Sequence, residues 1–400
     1  MMNSHKSGLL AAAALAALGV SRASANPITL GDLVIYRVGD GSATPLASTG
    51  NPVFLDEYTT TGTLVQSIPM PTSAAGAPGG GTQQALIASG TATSEGLLTI
   101  SANGQYIALT GYDAPTGGST ALPGSAGTTF PRTIGILPVS TGVVDTSTAL
   151  TDFATGNNPR SAVTTDGNSI WMGGATGGVR YTTIGSTGTS DTQLSTTVTN
   201  IRQVNIFGGQ LYNTDSSGST VRLGAVGSGL PTTSGQTITN LPGVPTTGSP
   251  YSFFFADLSP TVAGLDTLYV ADDTTGTGAL GIEKFCLNGG TWTSEGVIAA
   301  SATFATTQGV RGLTGTYSGS SATLYATTGA SAAGGGGQLW SLTDSSGYDS
   351  TISGTLNSLV TLSSTSDEAF RGIVYVPEPA SASLLLLAGG GLLVRRRRAN

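Results

Sequence analysis

The sequence is short of the residues that carry most enzyme chemistry. It has one histidine, His5, one cysteine, Cys286, and two lysines, Lys6 and Lys284. A single cysteine excludes an intrachain disulfide. His5 falls in a stretch that reads as a removable leader, so the body behind it has no histidine. That removes Ser-His-Asp and Cys-His catalysis and His-based zinc or copper centres. With Lys284 as the body's one lysine, a Ser-Lys pair has little to draw on. Cys286, in Lys284-Phe285-Cys286-Leu287, reads as a small hydrophobe on a strand.

Charge is also scarce. Only 9% of residues are charged, against about a quarter in ordinary globular chains. The formal net charge is −7. Processing at both ends would remove Lys6, Arg22 and Arg395 to Arg398, leaving nine bases against 22 acids, a body near −13. Nucleic acid is therefore excluded as a partner, because phosphate binding needs clustered Lys and Arg. Aromatics are few, and the three tryptophans, Trp171, Trp292 and Trp340, all fall on expected strands. Glycine, by contrast, is abundant at 60 of 400 residues, with 18 prolines. Together they stay below the roughly 25–30% that marks disorder. Short apolar runs between Gly, Thr and Ser read as an extracellular β protein.

The two ends carry addresses. Lys6 marks a short polar start, Leu9 to Val20 an Ala/Leu core, and Ala23-Ser24-Ala25 a small-x-small cleavage site. This is the pattern of a signal peptide removed by signal peptidase, covering residues 1–25. The core is too short for the ~20 apolar residues of a membrane span. At the other end stand Val376-Pro377-Glu378-Pro379, then an apolar or small stretch from Ala380 to Val394, then Arg395, Arg396, Arg397 and Arg398. The stretch predicts an apolar helix of about 22 Å at ~1.5 Å per residue. That falls short of a ~30 Å hydrocarbon core. A marginal, removable anchor fits, with the arginines on the cytoplasmic side and the body outside.

This tag, helix and basic cluster, in that order over residues 377–400, resemble the PEP-CTERM sorting signal. The resemblance implies recognition by an exosortase, a membrane transpeptidase that cuts at the tag. It implies an inner-membrane-tethered precursor, then a place in the cell envelope or an extracellular exopolysaccharide matrix. It implies nothing about the body, residues 26–376, because the address is shared by bodies of many kinds.

The body contains a repeat with uneven loops. An aliphatic residue with its partner recurs as Ile35-Tyr36, Ile107-Ala108, Ile170-Trp171, Leu211-Tyr212, Leu268-Tyr269 and Leu324-Tyr325. A strand precedes most pairs across a tight turn. Asn103-Gly104, Asp166-Gly167 and Gly208-Gly209 predict type I′ hairpins, in which both central residues take positive φ. A second hairpin follows each pair, as in Val53 to Ile68 or, with a Ser346-Gly347 turn, Leu339 to Ile352. Four strands per unit, repeated radially, make a β-propeller. The first unit lacks its leading strand, and the chain has one strand spare, Phe370 to Val376, just before the tag. These predict an all-β, six-bladed β-propeller, closed by pairing the C-terminal strand with the N-terminal ones. A pair of β-sandwich domains is the competing architecture.

Carboxylates are the chemistry that remains. Asp257, Asp266, Asp272, Asp273 and Glu283 fall in one unit, and Asp56-Glu57 in another. Two carboxylates suffice for glycoside cleavage, although turns and strand edges account for such residues too. Calcium is the cation that acids and loop carbonyls would suit, but no intact calcium loop is present, and no catalytic or metal-ligating residue is assigned. Arg160, Arg202, Arg311 and Arg371, four of the body's eight arginines, each open a leading strand. In a propeller they would line the channel mouth, either gripping an anionic ligand or pairing with neighbouring acids. The sequence thus supports an exported binding or structural propeller without enzymatic activity, whose partner is an exopolysaccharide or a surface protein. The alternative is a carboxylate-dependent extracellular polysaccharide hydrolase or lyase.

Overall fold

The six aliphatic pairs all lie on second strands of four-stranded antiparallel meanders. The computed structural model describes residues 26–42, 44–76, 82–274, 281–299, 309–329 and 334–378. The leader with Ala23 and Ala25, Pro379, the apolar stretch and Arg395 to Arg398 lie outside the described residues. Among the described residues every regular element is a β-strand.

Six meanders account for nearly all of them. The first sheet has the order Glu368–Tyr375, Leu33–Val38, Val53–Tyr58, Leu64–Pro69. The second is Thr99–Ile100, Tyr106–Tyr112, Arg132–Pro138, Asp145–Leu150, with Thr187–Gly188 added in parallel at its outer edge. The third is Pro159–Thr164, Ser169–Gly174, Val179–Thr183, Thr192–Gln193. The fourth is Ile201–Phe207, Gln210–Asp215, Leu223–Val226, Ile238–Asn240. The fifth is Pro250–Ala256, Thr267–Asp272, Gly281–Asn288, Thr291–Ala299. The sixth is Val310–Ser318, Ser321–Thr328, Gly335–Asp344, Asn357–Leu362. Leading strands of successive sheets touch in order from the second to the sixth. Val310–Ser318 then touches Glu368–Tyr375, which touches Thr99–Ile100. The arrangement is propeller-like, with apolar side chains packed between adjacent sheets.

The first sheet takes its leading strand from the far end of the body. Leu33 pairs with Tyr375, Ile35 with Ile373 and Val38 with Ala369. Arg37 stitches this sheet across all four strands. It meets Asp56 Oδ2 at 2.5 Å, Glu368 Oε1 at 2.6 Å and Ser67 Oγ at 2.9 Å. The strand also packs tightly against the second sheet, where the Gly372 amide donates to the Gly96 carbonyl at 3.0 Å. A Cβ on Gly372 would lie 2.4 Å from Leu98 N and 2.5 Å from Gly96 O.

Two sequence expectations need correction. Neither Asn103 nor Asp166 has positive φ, so their turns are not type I′; only Gly208-Gly209 of the three takes it at both positions. The reason is loop length. Gln210 pairs directly with Phe207, whereas Ser101 bonds Tyr106 across a longer loop and Asp166 Oδ1 accepts the Asn168 and Ser169 amides. Longer hairpin loops are built on type I turns, with glycine alone in the left-handed region. The last outer strand is also not the segment ending at Ile352 but Asn357–Leu362. Asp344 Oδ1 accepts the Ser346 and Ser353 amides and holds a wide loop instead of a tight hairpin. Ile352 is buried in the core beneath it.

Gly372→Ala should therefore force Glu368–Tyr375 away from the second sheet, at a cost near 1–3 kcal/mol typical of overpacking. In chemical denaturation the midpoint should fall in one cooperative transition. Loss confined to the last strand, with the main transition unmoved, would contradict a global role for this junction.

Candidate functional site: an arginine-lined mouth

One backbone device recurs in five leading strands. A single extra residue bulges from the strand against its neighbour, at Arg160, at Arg202-Gln203, at Tyr251-Ser252, at Arg311 and at Arg371-Gly372. Bulges re-aim side chains. Here they turn four arginines and one tyrosine toward the same end of the assembly. Tyr251 holds the fifth sheet's equivalent of the arginine position, and Pro250-Tyr251-Ser252 parallels Pro159-Arg160-Ser161. The parallel was visible in the sequence.

The four arginines form one electrostatic group. The Arg202 guanidinium lies 4.3 Å from the Tyr251 ring centre and that of Arg311 lies 4.8 Å from the same ring. Arg202 also donates to the Tyr251 hydroxyl and, at 2.8 Å, to Ser216 Oγ. Arg311 pairs with Asp273 at 2.8 Å, yet its Nη1 is buried with no partner among the described residues. Arg160 donates to Ser94 Oγ at 3.2 Å and to the Ile201 carbonyl at 3.0 Å. Arg371 donates to the Gly90 and Phe370 carbonyls, both at 3.0 Å. Burial brings Arg160 and Arg371 down to about 10, and repulsion from Arg202 and Arg311, respectively, adds to the shift.

The second sheet contributes a carboxyl instead, Glu95, which sequence reading missed. It is 2% exposed, accepts the Tyr112 hydroxyl at 2.6 Å and the Ser89 amide at 3.0 Å, and feels both Arg371 and Arg132. Burial outweighs these and pushes it up to about 7. Asp273 thus meets Arg311, and Glu95, holding its proton more tightly than an ordinary carboxyl, acts on Arg160 and Arg371. Arg132 is a further guanidinium near Glu95: it is fully buried, lies 5.0 Å from the Tyr112 ring centre and is bound to the Ser125, Phe130 and Asn157 carbonyls.

The leading strands run on from this cluster to a funnel of about 440 Å³ at the opposite end. Phe207, Phe254, Leu313, Tyr317, Tyr375 and Pro377 are among the residues that line it. Gln203 lies between the two levels, donating to the Leu98 carbonyl and accepting the Phe253 amide, both at 3.2 Å.

The other sequence candidates disperse. Asp257 is exposed, Asp266 caps the Leu258 and Ser259 amides, and Asp273 belongs to Arg311. Asp56 is held by Arg37, and Glu57 by the Thr29 amide and Gln66. Asp272 and Glu283 share a 190 Å³ cavity between the fourth and fifth sheets, where burial, then Asp272, pushes Glu283 up to about 7. The tryptophans are buried on strands. Cys286 is buried on a strand too, but its sulfur lies 3.2 Å from Glu295 and 3.4 Å from Asp349. Burial first, then these carboxylates, push the thiol up to about 12. Among the described residues this trio is the one grouping with metal-ligating atoms within 4.8 Å of one another. A thiol with two carboxylates is not the oxygen cage calcium takes.

Glu95 binds its proton more tightly folded than unfolded, so its ionisation removes stability as pH rises from about 4.5 through about 7. Glu95→Gln should flatten the stability–pH curve across that window. Relative to the parent, the variant should gain stability between pH 5 and pH 8, measured by denaturant unfolding. Parallel curves for the two proteins would show that Glu95 is ionised throughout.

No protein-family model matches the chain, and no curated protein is significantly similar to it. Solved structures do resemble its course. A putative 6-phosphogluconolactonase from Bacteroides uniformis matches at 14% identity and a TM-score of 0.42, covering 82% of each chain. The soluble aldose sugar dehydrogenase of Escherichia coli matches at 12% identity and a TM-score of 0.41, covering 76% of this chain and 98% of that one. The computationally designed protein Ika8 matches at 11% identity and a TM-score of 0.34, covering 79% and 86%. No residue's role is carried over from these likenesses.

Proposed function

We propose that this chain is an exported, exosortase-sorted envelope or matrix protein whose body binds an anionic ligand, without catalysis, at the arginine-lined mouth. The observation that carries the binding is the convergence of Arg160, Arg202, Arg311 and Arg371 through bulges at one position of four leading strands. Guanidinium groups left with unused donors recognise carboxylate, sulfate or phosphate. Arg311 Nη1 is such a donor, and Arg202 and Arg311 are the less buried pair. An acidic exopolysaccharide would supply the anion.

The body is read as a closed six-bladed propeller. The cyclic contacts of the leading strands and the pairing of Leu33–Val38 with Glu368–Tyr375 support that reading. The sorting reading rests on the tripartite sequence of residues 377–400. The enzymatic rival, a carboxylate-dependent hydrolase or lyase, draws on Asp272 and Glu283 in their shared cavity. Glu283→Gln abolishing depolymerisation of a polysaccharide would favour it.

At constant ionic strength, sulfate, phosphate or glucuronate should raise the melting temperature. Arg202→Gln and Arg311→Gln should each weaken that response about tenfold in concentration, the value of one lost charge-assisted hydrogen bond. Equal responses in the parent and both variants, or none to any of the three anions, would refute the mouth as an anion site. Independently, mass spectrometry of surface-exposed protein from the native host should find a terminus between Pro377 and Pro379. Retention of Arg395 to Arg398 on that form would refute sorting.

A further inference from the structure

We propose that the funnel opposite the arginines is a second binding site, for a neutral pyranose unit. At about 440 Å³ it has the size of a small-molecule pocket. Its lining contains no Asp, Glu, Lys or Arg, in a body whose net charge is near −13. An anion would lose hydration there and meet only carboxylates nearby, Asp257 acting on Tyr317 and Glu378 on Tyr375.

The aromatic side chains give the site its shape. Phe254 packs at 6.4 Å from Tyr317 and 6.2 Å from Phe207, ring centre to ring centre. Tyr317 is 42% exposed, an unusual cost for so large a side chain on a strand. Around these apolar faces stand hydrogen-bonding groups the protein leaves unused. The Tyr317 and Tyr375 hydroxyls, Thr316 Oγ1 and Asn205 Nδ2 make no hydrogen bond among the described residues, although all four residues line the funnel. A purely apolar ligand would leave these groups unsatisfied. A pyranose has apolar C–H faces to lie on aromatic rings and a rim of hydroxyls to meet the free polar atoms. This site is independent of the anion-binding reading, because no arginine lines it.

The test is saturation-transfer NMR on the full chain with the neutral p-nitrophenyl β-glucoside, β-galactoside and α-mannoside. At least one probe should show transfer to its pyranose C–H protons. Tyr317→Ala should cut that transfer at least fivefold; the residue is exposed, so the fold should persist. Tyr317→Phe should keep most of the transfer, and Arg202→Gln at the far mouth should leave it unchanged. The proposal is overturned if no probe shows pyranose transfer, or if transfer survives both Tyr317→Ala and Phe254→Ala. It is also overturned if p-nitroanisole, which has no sugar, competes as well as the glycosides, since the funnel would then be an unspecific apolar pocket.

Discussion

The pairing of Glu368–Tyr375 with Leu33–Val38 is the constraint on which the rest of the structure depends. It joins segments more than 300 residues apart, so the unfolded chain must give up a large loop entropy to form it. What offsets that cost is a dense local set of contacts. Arg37 holds Asp56, Glu368 and Ser67 at once, and a buried ion left alone by loss of its partner typically costs ~3–5 kcal/mol. Gly372 allows the backbone of the second sheet to approach on the other side. Without the strand, Leu33–Val38 would present an unpaired edge, a template for association with other chains.

The same segment links fold to site. Arg371-Gly372 and Arg311-Gly312 each combine a bulged arginine with a glycine that admits close neighbours. A Cβ on Gly312 would lie 3.1 Å from the Arg371 carbonyl oxygen, and one on Gly372 2.5 Å from the Gly96 carbonyl oxygen. The bulge turns the arginine to the mouth, and the glycine lets the next leading strand close in. Packing of the leading strands and assembly of the cationic cluster are therefore one geometric event. Arginines brought together this way repel one another, which shows in the lowered values of Arg160 and Arg371. Tyr251, lying against two guanidinium groups, and Glu95, facing them from the second sheet, keep the cluster tolerable.

Much of this was legible because strands obey short-range rules. Pairs such as Leu268-Tyr269 mark a fully buried second strand, and turns rich in glycine mark where it ends. The arginine positions were legible too, since Arg160, Arg202, Arg311 and Arg371 stand at the same point of their units. Glu95 was not, because the leading strand of its sheet is only Thr99–Ile100 and the chain before it follows no repeat. Tyr251 was not, because it carries no charge, whereas what the five positions share is the bulge itself. The wide loop from Asp344 to Asn357 escaped because its turn is held by one carboxylate that accepts the Ser346 amide and also that of Ser353, nine residues from Asp344 itself. Register and hairpins are local matters; which acids meet which arginines is decided by the sheet-to-sheet packing.

The two mouths divide the chemistry that a strongly acidic surface otherwise lacks. A body near −13 repels polyanions at long range, so an anionic ligand must be held by short-range contacts. Screening at physiological ionic strength reduces the repulsion beyond ~8 Å, while the buried arginines keep their field at contact distance. The opposite funnel is uncharged and aromatic, and it is insensitive to salt for the same reason. An acidic polysaccharide offers both parts, carboxylates for one mouth and neutral ring faces for the other. Binding at the arginines should then weaken as pH rises and Glu95 ionises, because each added carboxylate in the cluster competes with the ligand for the same guanidinium groups. The funnel's lining contains no carboxyl of its own; Asp32, raised to about 6 first by burial and then by Glu57, acts on Tyr375 at its edge, so binding there should change less.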